Sequence, residues 1–321
     1  MNRLMRDLAG FALALMFTNA APAQPYPAKP IRIVVPFPAG AFNDTLGRTI
    51  AQRFSDSGFA SAFVDNRPGA GSTLGADIVA KSPGDGYTLL IVAVPFAVNQ
   101  TLYVRLPYDT LRDLTPVIYA GASANLLTVH PSVPLRTVSG LIKLAKARPG
   151  ELTFASAGSG TSPHMGMELF KLMTGIDLVH VPYKGGAPAV TDLIGGHVMM
   201  YCENLPNLLP HVQAGRLRAV AVTTPARIRQ APDVPTIAET VPGFEVLAWF
   251  GVVAPAATPR DVVLKLNAEI NKMLAQPDVR ERFLVGAVDP VGGPPEQFGE
   301  HIRSEVAKWA KVVKATGARV D

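Results

Sequence analysis

The sequence predicts an α/β fold of two lobes, each a mainly parallel sheet with helices on both faces. Three observations carry this. Strand-like and helix-like segments alternate from Ile31 onward. The strand-like runs are continuous and rich in β-branched residues, the mark of strands covered on both faces. The last helical stretches need a sheet to pack on, and the first part of the chain has one.

The elements follow in order. Residues 31–36 form the first buried strand, and Leu46, Ile50 and Phe54 then recur at a spacing of four, one face of a helix that Asn43 or Asp44 can cap. Residues 62–65 read as strand, Leu74, Ile78 and Val79 as helix, and residues 88–94 as strand. A second set follows: strand 126–129, helix 138–146, strand 153–155, helix 164–173, strand 178–181, helix 187–194, then strands 199–202 and 217–223. Residues 249–254 are again strand, and helices follow near 260–274, 278–285 and 295–315. The pattern divides the chain into residues 24–120 plus 246–321 as one lobe and 121–245 as the other. Two crossings between lobes make a hinge.

Residues 1–23 read as a secretory leader. Arg3 and Arg6 give a positive start, residues 8–17 a short apolar run, and Ala21-Pro22-Ala23 a cleavage pattern, so removal is expected after Ala23. The apolar run falls short of the roughly 20 residues that span a bilayer, so the product is exported and not embedded in a membrane. With 48% hydrophobic residues, the 321-residue chain can build about two cores. Its one cysteine, Cys202, lies in an apolar run and reads as a core residue, with no partner for an internal disulfide. The net charge of +5 is scattered, without the clustered basic face that nucleic-acid binding requires.

Ligands of open α/β sheets sit at the carboxyl ends of strands, where helix N-termini present free N–H groups. Four stretches qualify: residues 38–44, 95–99, 156–164 and 182–187. The first carries no lysine or arginine. The third is Ser156-Ala157-Gly158-Ser159-Gly160-Thr161-Ser162-Pro163-His164, whose glycines admit close backbone approach and whose hydroxyls suit a carboxylate or phosphate. A plain capped helix with a flexible lead-in is the competing reading. Catalytic patterns are missing: there is no G-x-S-x-G elbow, no H-E-x-x-H pair and no phosphate-loop signature. In Gly69-Ala70-Gly71-Ser72-Thr73-Leu74-Gly75 the last glycine falls one residue late for a dinucleotide fingerprint. No catalytic residue, metal or cofactor is therefore expected. His164 beside Ser162 reads as a helix-surface or ligand-contact histidine.

From about Tyr26 to the end, the chain closely resembles the Bug family, the extracytoplasmic solute receptors of tripartite tricarboxylate transporters. The resemblance rests on ordered motifs: Tyr26-Pro27-Ala28-Lys29-Pro30-Ile31-Arg32, Val35-Pro36-Phe37-Pro38-Ala39-Gly40, Asn66-Arg67-Pro68-Gly69-Ala70-Gly71 and Asp85-Gly86-Tyr87-Thr88-Leu89-Leu90. Leu106-Pro107-Tyr108-Asp109, the 156–164 loop, His180-Val181-Pro182-Tyr183-Lys184-Gly185 and Asp233-Val234-Pro235-Thr236 continue them. It implies a two-lobed type II periplasmic binding protein fold, the Venus-flytrap arrangement, closing on a solute in the periplasm. The expected solute is a small carboxylate or a related compound, handed to membrane permease subunits by a receptor that acts as a monomer. Carried over loop by loop, the resemblance implies ligand contacts from Phe37, Ala39, Gly40, Asn43 and Asp44 in one lobe. In the other it implies Ser156, Gly158, Thr161, Ser162, His164, Tyr183 and Glu203. The chain departs from the family at Ala41-Phe42, where glycines are usual, and at Glu203, where aspartate is common. Phe42 is expected to put a ring near the cleft and to favour ligands with an apolar or aromatic body. A solute sensor docking on a signalling protein is the alternative function, and an exported enzyme a more distant one.

Overall fold

The computed structural model describes residues 26–320. The leader and its cleavage after Ala23 lie outside the described residues.

The first unit alternates β1 (Ile31–Val35), α1 (Phe42–Asp56), β2 (Ala62–Asn66), α2 (Thr73–Ala80), β3 (Thr88–Ala93) and α3 (Val94–Leu102). Then comes β4 (Leu114–Val129), a strand of 16 residues. The second unit holds α4 (Val138–Ala147), β5 (Thr153–Ser156), α5 (Ser162–Thr174), β6 (Val179–Pro182), α6 (Gly186–Ile194), β7 (Met200–Asn204), α7 (Leu205–Gln213) and β8 (Arg218–Val222). The chain returns through β9 (Leu247–Pro255), α8 (Arg260–Ala275), α9 (Pro277–Val285), β10 (Asp289–Pro290) and α10 (Pro295–Thr316).

The strands lie in the order β2-β1-β3-β9-β4-β7-β5-β6. β1, β2 and β3 are mutually parallel, as are β5, β6 and β7, while β9 runs antiparallel to both β3 and β4. β4 joins the two halves. Residues from Leu114 to Ala124 pair with β9, and those from Asn125 to Val129 pair with β7 and β8. The return chain is laced to it: Asn125 N–H donates to Thr223 Oγ1 at 2.9 Å, Thr223 N–H to Asn125 O at 3.0 Å, and Val246 N–H to Thr223 O at 3.0 Å. The fold is thus two-lobed, with both crossings side by side.

Three apolar clusters fill it. One lies between β1, β3, β9 and the helices α1, α8 and α9. A second sits under α6 and α7 of the second lobe. The largest spans both lobes and unites α3, α5 and α10 with Trp249 and Trp309. Both indole N–H groups donate to one buried carboxylate oxygen, Glu305 Oε2, at 2.9 and 2.7 Å. Cys202 is buried in this cluster, as its sequence setting implies.

Three local expectations are corrected. Residues 95–99 are no loop but the body of α3, which starts directly after β3 with Pro95 in its first turn. Proline fits there because that position has no intrahelical acceptor for an N–H. α1 takes Ala41 as its N-cap, without a side-chain cap from Asn43 or Asp44. His164 lies inside α5 and is buried, with no place on the helix surface.

Candidate functional site

At the carboxyl end of β1 the chain turns through Phe37, Ala39 and Gly40 into α1. Gly40 takes φ +88°, open to glycine at no steric cost. Asp44, buried in the first turn, folds back and fixes this loop. Its carboxylate accepts from Gly40 N–H at 3.0 Å, Arg48 Nε at 2.9 Å and Asn66 Nδ2 at 2.9 Å. Burial pushes the Asp44 carboxyl up, but the hydrogen bonds from Arg48, Asn66 and Gly40 outweigh it and hold it below the usual carboxylate range. The Gly40 donor is therefore already engaged. Asn43 is buried and its Nδ2 has no hydrogen-bond partner. Phe42 packs on Phe250 and Phe283, with ring centroids 4.5 and 5.0 Å away, and remains half-buried.

The loop between β5 and α5 is built differently. Ser156 is fully buried. Its Oγ lies 2.6 Å from His180 Nε2 and accepts from Gly158 N–H at 3.1 Å. Thr161 Oγ1 donates to Gly158 O at 2.6 Å. His164 Nδ1 accepts from Gly160 N–H at 3.1 Å. The His180 ring is stacked between His164, 4.0 Å away, and Phe154, 5.0 Å away. Burial, with His180 and Lys171 close by, lowers the His164 pKa to about 3. Burial and Lys171 lower that of His180 to about 4. Both imidazoles are neutral at pH 7, so the loop is braced without a formal charge. The N–H groups of Ser162 and His164 sit in the first turn of α5, where a helix leaves its donors without intrahelical partners. Gly160, at φ +80°, lies against α3: a Cβ there would stand 2.8 Å from Leu102 Cδ2.

The remaining candidates are held by protein partners. Tyr183 hydroxyl donates to Asp192 Oδ2 at 2.8 Å, and burial together with that bond pushes its pKa up to about 12. Glu203 is buried at the end of β7 and accepts from Tyr201 hydroxyl and, at 2.7 Å, from Asn204 N–H. Burial raises its pKa against those hydrogen bonds. Its Oε2 closes on the first residue of α6, where a Cβ on Gly186 would be 3.2 Å away. The structure thus gathers Ser156, Gly158, Thr161, Ser162 and His164 in one loop, and Phe37, Ala39, Gly40, Asn43 and Asp44 in another. Sequence reasoning missed His180, Tyr201 and Asp192, which orient them. The signal for His180 was a polar residue one strand away from a serine-glycine loop.

Nothing here assembles a nucleophile with an activating base and an acid. Against known proteins, the family model described as the tripartite tricarboxylate transporter family receptor matches residues 46–318. Protein BugT of Bordetella pertussis is 40% identical, over 100% of this chain and 99% of its own. Among solved structures, Rpa4515 of R. palustris with adipate superposes with a TM-score of 0.83 at 39% identity, covering 91% of this chain and 98% of the other. MatC from Rhodopseudomonas palustris with bound malate gives 0.81 at 30% identity, with 90% and 100% covered. The chain belongs to the tripartite tricarboxylate transporter receptor family, the Bug solute-binding proteins, and is a binding receptor, not an enzyme.

Proposed function

We propose that this receptor works in the periplasm, closes its two lobes on a small carboxylate and delivers it to a tripartite tricarboxylate-type membrane transporter. The observation that carries this is the first turn of α5, which follows the carboxyl end of β5 through a loop braced by two neutral imidazoles. The acids bound by Rpa4515 and MatC, adipate and malate, support the ligand class. Among the described residues no helix is long and apolar enough to cross a membrane. Removal of the leader after Ala23 belongs to the same proposal, as does a monomeric working form.

The ligand contacts are assigned to Phe37, Ala39, Gly40, Asn43 and Asp44 from the first lobe. Ser156, Gly158, Thr161, Ser162, His164, Tyr183 and Glu203 are assigned from the second. Backbone donors carry most of the recognition, with His164, Ser156, Tyr183 and Glu203 holding the loops that present them. Residues 24–120 with 246–321 make one lobe and 121–245 the other. The exchange of β4 partners between Ala124 and Asn125 supports a pivot there. A hydrogen bond to an ionised group contributes about 1.5–3 kcal/mol. Four give roughly 8 kcal/mol before ordering costs, the size of a micromolar affinity. Donors from both lobes make the closed state the better binder, so ligand shifts the population toward closure.

The test is thermal unfolding of mature protein, refolded once to strip carried-over ligand, against adipate, malate, amino acids and sugars. A ligand at 100 times its Kd adds about 2.7 kcal/mol. Each kcal/mol moves the midpoint by about 2–4 °C for a domain of this size. A rise with acids is expected. A flat response to every acid beside a rise with a sugar would sink the carboxylate reading. Uptake into vesicles carrying the membrane subunits, with and without the receptor, tests the delivery step.

A further inference from the structure

Asn125 is completely buried, and neither Nδ2 nor Oδ1 of its carboxamide has a hydrogen-bond partner. Oδ1 of Asn204 is buried and unpartnered as well. Buried polar side chains are nearly always paired, so three such atoms together call for an occupant. The two residues are directly opposed in the antiparallel β4–β7 pair, so their side chains leave the same face of the sheet. Alternation along the strands tells which face. Two positions on, Leu127 and its partner Cys202 pack with Met165 and Met167 of α5, whereas Leu126 and Tyr201 join the cluster under α6 and α7.

Asn125 and Asn204 therefore look toward α5. That helix starts at the carboxyl end of β5, which is parallel to β7, so its first turn lies over the end of β7 that carries Asn204. A second contact agrees. A Cβ on Gly166 of α5 would stand 3.5 Å from Val246, whose N–H bonds Thr223, the residue laced to Asn125.

We infer that Asn125 and Asn204 form a specificity subsite in this cleft for a hydrogen-donating substituent, a hydroxyl or an ammonium, carried beside the carboxylate that α5 receives. The inference rests on the carboxylate reading above. The unpartnered set is two amide oxygens and one amide NH2 group. A hydroxyl donates to an oxygen and accepts from the N–H, and an ammonium donates to both oxygens. A second carboxylate only accepts, so it can use the Asn125 amide donor alone and meets both oxygens unfavourably. Glu203 is a separate contact from this subsite: it leaves the opposite face of β7 and already accepts from Tyr201 and Asn204 N–H.

The experiment uses the full mature chain and the Asn125→Leu and Asn204→Ala variants. Calorimetry compares succinate, malate and aspartate, and the corresponding unsubstituted, 2-hydroxy and 2-amino acids of five and six carbons. Thermal midpoints are read without ligand. Wild type is expected to prefer a hydroxy or amino acid over its unsubstituted form by about tenfold or more. In either variant the ratio should fall to about twofold. The ligand-free midpoint of Asn125→Leu should hold or rise, because an unsatisfied amide has been replaced by an apolar group of similar size. A midpoint that drops by several degrees while the ratio persists would make the carboxamides structural and overturn the inference. So would a wild type that binds unsubstituted acids as tightly as substituted ones, although the carboxylate reading would then stand. If no acid binds wild type, the carboxylate reading itself fails. Asn204→Ala, at a partly exposed position, keeps the test open if Asn125→Leu does not fold.

Discussion

The two loops that open α1 and α5 occupy equivalent places in their lobes but are braced by opposite chemistry. The first is tied by an ionised carboxylate, which spends the Gly40 N–H and puts a negative charge in the first turn of its helix. The second is tied by hydroxyls and two neutral imidazoles, which leave the positive end of α5 uncompensated. On the proposed reading an anion therefore takes its stronger seat on the second lobe, and the first lobe adds fewer donors. Equivalent topology does not make equivalent sites: what occupies the helix terminus decides.

The largest expected difference between the loops is in acid. A buried imidazole with a depressed pKa gives stability that is complete above its unfolded value of about 6.5 and is lost as pH falls toward the folded value. The loss is about 1.4 kcal/mol per pH unit for each ring, continuing to about pH 4 for His180 and about 3 for His164. Glu203, raised by burial, works in the opposite direction and offsets part of it. Asp44, held low, keeps its contribution above the ordinary carboxylate value of about 3.9 and loses it only as pH falls from there toward its own depressed value. Urea unfolding at pH 7 and 4.5, with hydrogen exchange read loop by loop, should show residues 156–164 loosening before residues 37–44. His164→Asn keeps an acceptor for Gly160 and should remove one ring's share of the slope. An unchanged slope would mean that the stack is not the acid-sensitive element.

Next comes a pair of glycines. Gly160→Ala meets Leu102 as well as a positive φ, and should cost about 2–3 kcal/mol. Gly40→Ala meets only the positive φ, with nothing within 4 Å, and should cost about 1 kcal/mol. Equal thermal midpoints would remove the contact between lobes from the account. Smaller again is Asp44→Asn. Taking a negative charge from the first turn of α1 should strengthen carboxylate binding by about 0.3–1 kcal/mol. Weaker binding by calorimetry would instead make Asp44 an acceptor for the ligand. Phe42→Leu loses the ring contacts to Phe250 and Phe283, about 0.5–1.5 kcal/mol, and should be read in the ranking of aliphatic against aromatic acids. An unchanged ranking would remove Phe42 from selectivity.

Alternation and β-branched runs made the parallel strands and most helices legible, and the return of the chain to its first sheet was readable from the unpartnered C-terminal helices. The first part of β4 was not. It contains Pro116 and Gly121 and shifts register between Pro116 and Ile118 and between Tyr119 and Gly121, which breaks the periodicity. α3 and α7 were missed for a shared reason. Each follows its strand without a linker and carries proline in its first turn, where a proline in an apolar run reads as loop. Motifs pointed to the two loops proposed to hold the ligand. They did not show that Gly40, Tyr183 and Glu203 spend their polar atoms on neighbours, because those partners lie 2 to 9 positions away and carry no motif of their own.

The chain has two tryptophans, and both rest on Glu305. Trp249 lies on the returning strand and Trp309 on α10, in the cluster that reaches α5 of the second lobe. All indole emission thus originates at one joint. A shift in its colour on adding a solute would report the proposed closure, with no label attached.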